Sequence, residues 1–171
     1  MTGIPVEKAE GVDDWSTWAT RAYGDLTDPD FSFVGECYER NPYAEPIRRI
    51  SAIARAENRT NLDDYVCFDL EVDGGRRRTW LVQLSMVGPF AMVIRVDRGG
   101  MFFRNVVSTA VVETDDPTGA RILGVLRESG FHVLSAEESK IGVPFRIPPD
   151  EEPEDGPLYR ILFGDATELP W

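Results

Sequence analysis

The longest regular alternation of apolar and polar residues lies between residues 64 and 112. Apolar, β-prone segments are separated there by glycine-containing turns at 73–75, 88–89 and 98–100. Such turns between β-prone segments are typical of an antiparallel meander. Side chains alternate between the two faces of a strand, and one parity of the first three strands is strongly apolar, which predicts a sheet with one covered face. The apolar set is Val66, Phe68, Leu70, Val72, Trp80, Val82, Leu84, Met86, Phe90, Met92, Ile94 and Val96.

The remaining strands are less regular. The fourth segment of the meander, 101–112, is apolar at both parities, so we expect it to be central or covered on both sides. Further short strands are predicted at 131–134 and 158–163, and a short one around 31–34. The complete sheet is expected to have about five to six strands.

Three segments outside the meander have helical spacing. Residues 15–23 carry an apolar stripe after an aspartate cap, and a second helix is expected from Pro46 to just before Asn58. A third begins at Pro117 behind an acidic cap and closes at Gly130. With the sheet, these helices predict a single α+β domain, residues 1–171, with three helices packed mainly on one face. Residues 1–11 are expected to be a loose leader.

Charge is distributed unevenly along the chain. The 171 residues carry a net charge of −12, with acids in excess at both ends and arginines in excess between residues 40 and 104. This field disfavours duplex nucleic acid and favours a basic partner, although an acidic surface also serves solubility alone. The sequence contains neither an apolar run long enough for a membrane helix nor the pattern of a signal peptide, so a cytoplasmic protein is expected.

Recognisable catalytic and cofactor motifs are missing from the sequence. It contains no glycine-rich nucleotide fingerprint and no nucleophile elbow, and its two cysteines and one histidine form no metal-binding cluster. We therefore predict no cofactor, no metal site and no catalytic residues. A disulfide between Cys37 and Cys67 has no support, because thiols stay reduced in the cytosol. The roles of these cysteines and of His132 stay open.

Three groups of residues are candidates for binding. The first is an acidic, proline-containing segment at 148–157, expected to be a mobile loop that contacts a basic partner. The second is the polar face of the sheet, where a ligand would bind, although a solvated face is the simpler interpretation. The third is an arginine-rich hairpin tip, which can pair with the chain's own acids or bind an acidic surface. The first group comprises Asp150, Glu151, Glu152, Glu154 and Asp155, the second Tyr65, Asp69, Gln83 and Arg95, and the third Arg76, Arg77 and Arg78.

Three functional hypotheses follow from these features. The favoured one is a non-catalytic acidic interaction protein, such as a bacterial immunity or antitoxin-type inhibitor of a basic protein. The first alternative is a small enzyme or ligand-binding domain that uses the polar sheet face. The second alternative is a chaperone or adaptor for a secreted partner. A deep pocket that collects the polar-face side chains would favour the ligand hypothesis, and a flat acidic face would favour a protein partner. Partner identity and oligomeric state are open at this stage.

Overall fold

The architecture is α+β, in a computed structural model that describes residues 14–99, 105–145 and 155–164. The predicted fold class is confirmed. Within these residues the elements, in chain order, are α1 (Trp15–Tyr23), β1 (Gly24–Asp25), β2 (Asp28–Pro29), α2 (Phe33–Arg40), α3 (Ala44–Ser51), β3 (Ala56–Asn58), β4 (Cys67–Gly75), β5 (Arg78–Ser85), β6 (Phe90–Gly99), β7 (Asn105–Ala110), α4 (Pro117–Glu128), β8 (His132–Val133), α5 (Ala136–Ser139), β9 (Gly142–Pro144), β10 (Asp155–Pro157) and α6 (Leu158–Phe163).

The predicted meander is the centre of the fold. Strands β3 to β7 lie in chain order and pair antiparallel, and β8 pairs in parallel with β6. In the β4–β5 hairpin Phe68 lies opposite Leu84, and Leu70 lies opposite Val82. These four side chains are at most 2% exposed. Burying a large apolar side chain contributes about 1.5–3 kcal/mol, so this face supplies much of the folding free energy.

The parity predicted for the third strand of the meander is wrong. Leu84 of β5 lies opposite Ala91 of β6, so even-numbered positions of β5 share a face with odd-numbered positions of β6. The connection 86–89 sets this register, and a shift of one residue moves every side chain of a strand to the other face. Residues 91–94 are fully buried at both parities. The sheet is therefore covered on both faces at β6.

The fourth strand is also placed differently from the prediction. Strand β7 was expected to be central because it is apolar at both parities, but it lies at the edge of the sheet. Val106 and Val107 are 56% and 57% exposed. Residues 101–104 of the predicted strand lie outside the described residues. Val106 and Val107 therefore lack the burial that the apolar pattern of this strand predicts.

The helices include the three predicted ones, with three more in the described part of the chain. Helix α1 has the predicted bounds, and α4 begins at Pro117 behind Asp116, whose side chain accepts hydrogen bonds from the backbone N–H of Thr118 and Gly119. Helix α3 is shorter than predicted, because the chain turns into β3. The segment around 31–34, expected to be a short strand, instead leads into helix α2.

Helix α6 replaces a predicted strand and covers the second face of the sheet. Apolar residues at 158, 161 and 162 repeat with helical spacing, although the alternation at 159, 161 and 163 is also compatible with a strand. The Tyr159 hydroxyl donates to Gln83 Oε1 at 2.9 Å, and Ser85 Oγ donates to the backbone oxygen of Leu162. Helix α4 packs on the opposite face, where an added Cβ at Gly119 would lie 2.4 Å from the indole of Trp80.

Candidate functional site

A surface groove of about 320 Å³ opens between the start of α2 and the segment that precedes β4. We call it the acidic groove. Its apolar wall is Phe31, Val34 and Leu62, and its charged residues are Asp63, Asp64 and Arg160; Tyr65, Val66 and Gly164 complete the lining. The groove therefore combines apolar surface with two exposed carboxylates and the guanidinium group of Arg160, in a chain of net charge −12.

The apolar side of the acidic groove is held in place by a turn and an aromatic contact. The carboxylate of Asp30 accepts hydrogen bonds from the backbone N–H and the hydroxyl of Ser32, which orders the turn before α2. The ring of Phe31 meets that of Tyr23 edge-on, with 5.3 Å between the centroids. Tyr23 is itself fixed, because its hydroxyl donates to the backbone oxygen of Ile161. Phe31 is nevertheless 38% exposed, so a large apolar surface faces solvent at a rigid position.

The acidic side of the groove is organised by Asn61. The side-chain oxygen of Asn61 accepts from the backbone N–H of Asp63, and its amide nitrogen donates to Asp64 Oδ2 at 2.6 Å. The backbone oxygen of Asn61 accepts from the N–H of Tyr65. These three bonds form a compact turn that presents Leu62, which is 40% exposed, beside the two aspartates as part of the groove wall.

Gly164 fixes the floor of the acidic groove. It forms an isolated antiparallel bridge with Tyr65, and the N–H of Val66 donates to the backbone oxygen of Phe163. Gly164 has a φ of +117°, and an added Cβ would lie 2.6 Å from the backbone oxygen of Asp64. Only glycine allows this close approach, so the segment 61–65 is locked to the end of α6.

Acidic and aromatic side chains continue outward along α2. Tyr38 is one helical turn beyond Val34 on the same side of the helix and is 39% exposed, with its ring stacked on Phe68. Glu36 and Glu39 of α2 are exposed as well. Partly exposed aromatics among charged residues are common at protein–protein interfaces, where the aromatic residues supply the buried anchor.

The structure does not bring the predicted polar sheet face together. Asp69 and Gln83 lie opposite each other on the face covered by α6, and Gln83 is buried beneath Tyr159. Arg95 lies opposite Trp80 on the other face, where its Nε is 2.9 Å from Asp97 Oδ2. The prediction of one shared face is wrong for Arg95, because the register of β6 is shifted relative to β5. Of the four predicted residues, Tyr65 lines the acidic groove.

Asp69 has the most unusual environment of the predicted residues. The pKa of its carboxyl group is raised to about 6, mainly by burial and secondly by the negative charge of Glu71, while Arg59 partly opposes the shift. Its Oδ1 atom is buried, with no hydrogen-bond partner among the described residues. A carboxyl group with a pKa near neutrality can transfer protons, and such groups occur often in active sites.

The other reactive side chains in question are the two thiols and His132, of which Cys67 lies two residues from Asp69 in β4. Burial, with a smaller contribution from Asp69, raises the pKa of the Cys67 thiol well above its ordinary value, which keeps the thiol protonated and weakly nucleophilic. Both Cys37 and Cys67 are free thiols. The Nε2 atom of His132 in β8 lies 2.9 Å from Oε1 of Glu138 in α5, and Glu138 also caps that helix. His132 therefore has a local structural role.

The predicted basic tip is divided between two roles. Arg76 and Arg77 form the two-residue turn of the β4–β5 hairpin, with φ values of 46° and 67°. Arg78 begins β5 and donates to Asp97 at 2.7 Å and to Asp116 at 2.6 Å. Arg78 therefore pairs with the chain's own acids, as one of the two interpretations of this cluster expected, and Arg76 and Arg77 are exposed at the tip.

Most of the predicted acidic loop lies outside the described residues. This applies to Asp150, Glu151, Glu152 and Glu154, so their proposed contact with a partner stays a prediction. Asp155 begins β10, where it pairs with Pro144. The predicted leader, 1–11, also lies outside the described residues.

Comparisons with known proteins add no assignment to this site. A scan against models of known protein families, a search of curated proteins and a search of solved structures each returned no match. In the described ranges no helix is both long and apolar enough to cross a membrane. The same residues contain no group of three or more histidine, cysteine, aspartate or glutamate side chains that would hold a metal ion.

Proposed function

We propose that this protein is a non-catalytic interaction protein that binds a basic protein partner through the acidic groove. An immunity or antitoxin-type inhibitor of a cationic protein is the class that fits this chemistry. The observation that carries the proposal is the juxtaposition of exposed Phe31 and Leu62 with the carboxylates of Asp63 and Asp64 in one groove.

The groove suits an arginine or lysine side chain of the partner. Both side chains have an apolar stem and a charged head, so the stem packs on an apolar wall while the head contacts carboxylates. Arginine is the better match, because its planar guanidinium donates to carboxylates from several N–H groups at once. Asp63 and Asp64 are neighbours in one turn, and Leu62 lies beside them as part of the wall.

The charge of the whole chain supports capture of a basic partner. A net charge of −12 attracts a cationic protein from a distance, and such steering raises association rates to about 10⁸–10⁹ M⁻¹s⁻¹ at low ionic strength. Steering alone gives little specificity. The acidic groove adds a fixed contact point, because the Asp64 carboxylate accepts a hydrogen bond from Asn61 and the adjacent Tyr65 is held by the Gly164 bridge.

A hexa-arginine peptide provides a direct test with a defined probe. Its affinity is measured by fluorescence anisotropy for the wild type, for the double variant D63N/D64N, and for the control E113Q/D115N. Both pairs of residues are exposed, and both variants change the net charge equally. We expect D63N/D64N to weaken binding about tenfold, since it removes charge-assisted contacts, and the control to weaken it much less.

The control decides between the acidic groove and general attraction. An equal loss of affinity in the two double variants would show that the peptide is attracted by the overall negative charge. That result would contradict the groove as the binding site. Absence of wild-type binding at low salt would contradict the proposal as a whole. A further variant, L62A, removes apolar surface without any change of charge, and we expect it to weaken binding while leaving the salt dependence unchanged.

A further inference from the structure

Strand β7 has an open edge. Within the described residues it pairs with β6 alone, at the end of the sheet. The N–H of Val111 donates to the backbone oxygen of Val93 at 2.8 Å, which identifies a hydrogen-bonded pair in the β6–β7 ladder. Hydrogen-bonded and non-hydrogen-bonded pairs alternate along an antiparallel ladder. The backbone N–H and C=O groups of Val106, Ser108 and Ala110 therefore point away from β6, towards the open side.

The side chains of this strand are also suited to a neighbour. Val106 and Val107 point to opposite faces and are both more than half exposed, so each face of the strand presents apolar surface at the edge. Edge strands are usually protected against pairing by charged residues, proline or a bulge. Residues 105–110 contain neither a charged residue nor a proline, and β7 pairs with β6 without a bulge.

We propose that β7 pairs with β7 of a second copy of this chain, in an antiparallel arrangement around a twofold axis at Ser108. In this register the outward backbone groups of the two strands form about six hydrogen bonds, because each hydrogen-bonded pair contributes two. Val106 then lies opposite Ala110 of the other copy, and Val107 lies opposite Thr109. The two exposed valines of each chain are thereby covered.

The distribution of charge makes β7 a better contact between two copies of the chain than the acidic parts of the surface. Two chains of net charge −12 repel each other, and the repulsion is weakest where the contact carries no acidic residue. Strand β7 is uncharged. In the ladder Arg98 lies opposite Val106, and Asp97, which lies opposite Val107, is paired with Arg78 and Arg95. Added salt screens the repulsion between the copies, so the dimer should strengthen with salt, whereas binding of a basic partner should weaken.

The test is the oligomeric state of the full chain, measured by sedimentation from micromolar to millimolar concentration. We expect the wild type to form dimers and V107K to be monomeric, because lysine at an edge strand opposes pairing. The matched control is T20K on the exposed face of α1, which changes the net charge equally and should leave the dimer intact. S108P is a second variant: it removes an outward N–H only, so the β6–β7 ladder is retained.

Cross-linking tests the register. Ser108 faces itself across the twofold axis, so S108C should form a disulfide-linked dimer under mild oxidation faster than T20C. Cys37 and Cys67 are buried and should not interfere. A monomeric wild type at every concentration would overturn the proposal, as would a dimer that survives both V107K and S108P. If the wild type is monomeric and V107K no longer binds the hexa-arginine peptide, the proposal is also overturned, and the edge is assigned to the basic partner instead. The oligomeric state and the cross-linking rate do not depend on the acidic groove.

Discussion

Replacing Asp69 by asparagine should stabilise the protein at neutral pH. The pKa of this carboxyl group is raised from 3.8 to about 6, first by burial and then by the charge of Glu71. The folded protein therefore resists ionisation of Asp69, whereas the unfolded chain ionises at the ordinary pKa. An asparagine side chain has nearly the same shape and no charge, so D69N removes the buried charge from the folded state.

The size of the effect follows from the pKa difference. A difference of about two units corresponds to about 3 kcal/mol, because each unit is worth about 1.4 kcal/mol. Asp69 retains some contact with solvent, and the asparagine amide leaves a polar group in the same place, so a gain of about 1–3 kcal/mol is expected at pH 7.

The raised pKa of Asp69 also determines whether folding stability rises or falls with pH. Below the unfolded-state pKa of 3.8 Asp69 is protonated in both states and does not oppose folding. As the pH rises towards 6, the unfolded chain loses this proton while the folded protein keeps it, so stability falls. Above the pKa of the folded protein, Asp69 is ionised in both states and stability falls no further on its account. D69N should therefore match the wild type below about pH 3 and exceed it increasingly up to pH 7.

Urea unfolding at several pH values measures this difference. The other carboxylates contribute equally to the wild type and to D69N, so the difference in unfolding free energy isolates Asp69. D115N changes an exposed carboxylate and serves as the control, with an expected change close to zero. A difference between D69N and the wild type that is constant from pH 4 to pH 7 would refute the assigned pKa shift, and a less stable D69N at pH 7 would refute the account of Asp69 as an uncompensated buried charge.

Two further variants test local features. G164A should destabilise the protein by more than about 2 kcal/mol, because a positive φ and a clash with the backbone oxygen of Asp64 coincide, and it should also weaken hexa-arginine binding; unchanged stability in a urea titration would contradict the close contact. The double variant R76N/R77G should raise stability by about 1 kcal/mol, because Asn-Gly adopts the left-handed turn of the β4–β5 hairpin with less strain than two arginines. A lower thermal midpoint would show instead that contacts of the arginine side chains outweigh this strain.

The sequence predicts the sheet better than the elements that cover it. Strands β4 and β5 follow from alternation between glycine turns, and α4 follows from its aspartate cap and Pro117. The register of β6 was not predictable, because it depends on how the connection 86–89 folds, and no residue there marks a change of phase. Helix α6 has apolar residues at the spacing of a helix and also at the spacing of a strand. A six-residue segment contains too few positions to decide between the two.

The acidic groove was not predicted as a unit. Tyr65 was identified as a candidate, but as part of the polar sheet face, and the acids expected to bind a partner were those of the 148–157 loop. The groove assembles Phe31, Leu62 and Gly164, which lie far apart in the chain and are brought together by tertiary contacts. The sequence indicates this groove only weakly. Leu62 stands between Asn61 and two aspartates, in a segment that has no regular periodicity.

The placement of β7 shows why apolar pattern alone does not define burial. A strand that is apolar at both parities was interpreted as central, yet Val106 and Val107 are exposed at the sheet edge. An apolar residue can be covered by its own chain or by a second chain, and the sequence pattern alone does not distinguish the two. The pairing proposed for β7 reconciles the pattern with the exposure.

Mapping of a single arginine side chain by NMR tests the central claim most directly. N-acetylarginine amide is titrated into the labelled wild type while backbone amide shifts are recorded, and N-acetylcitrulline amide, which has the same stem without the charge, is the matched control. We predict concentration-dependent shifts centred on residues 61–65 and on Phe31 for the arginine compound, far smaller shifts for the citrulline compound, and loss of the arginine response in D63N/D64N. Arginine-induced shifts spread over the acidic surface, with no centre at residues 61–65, would contradict the acidic groove as the binding site.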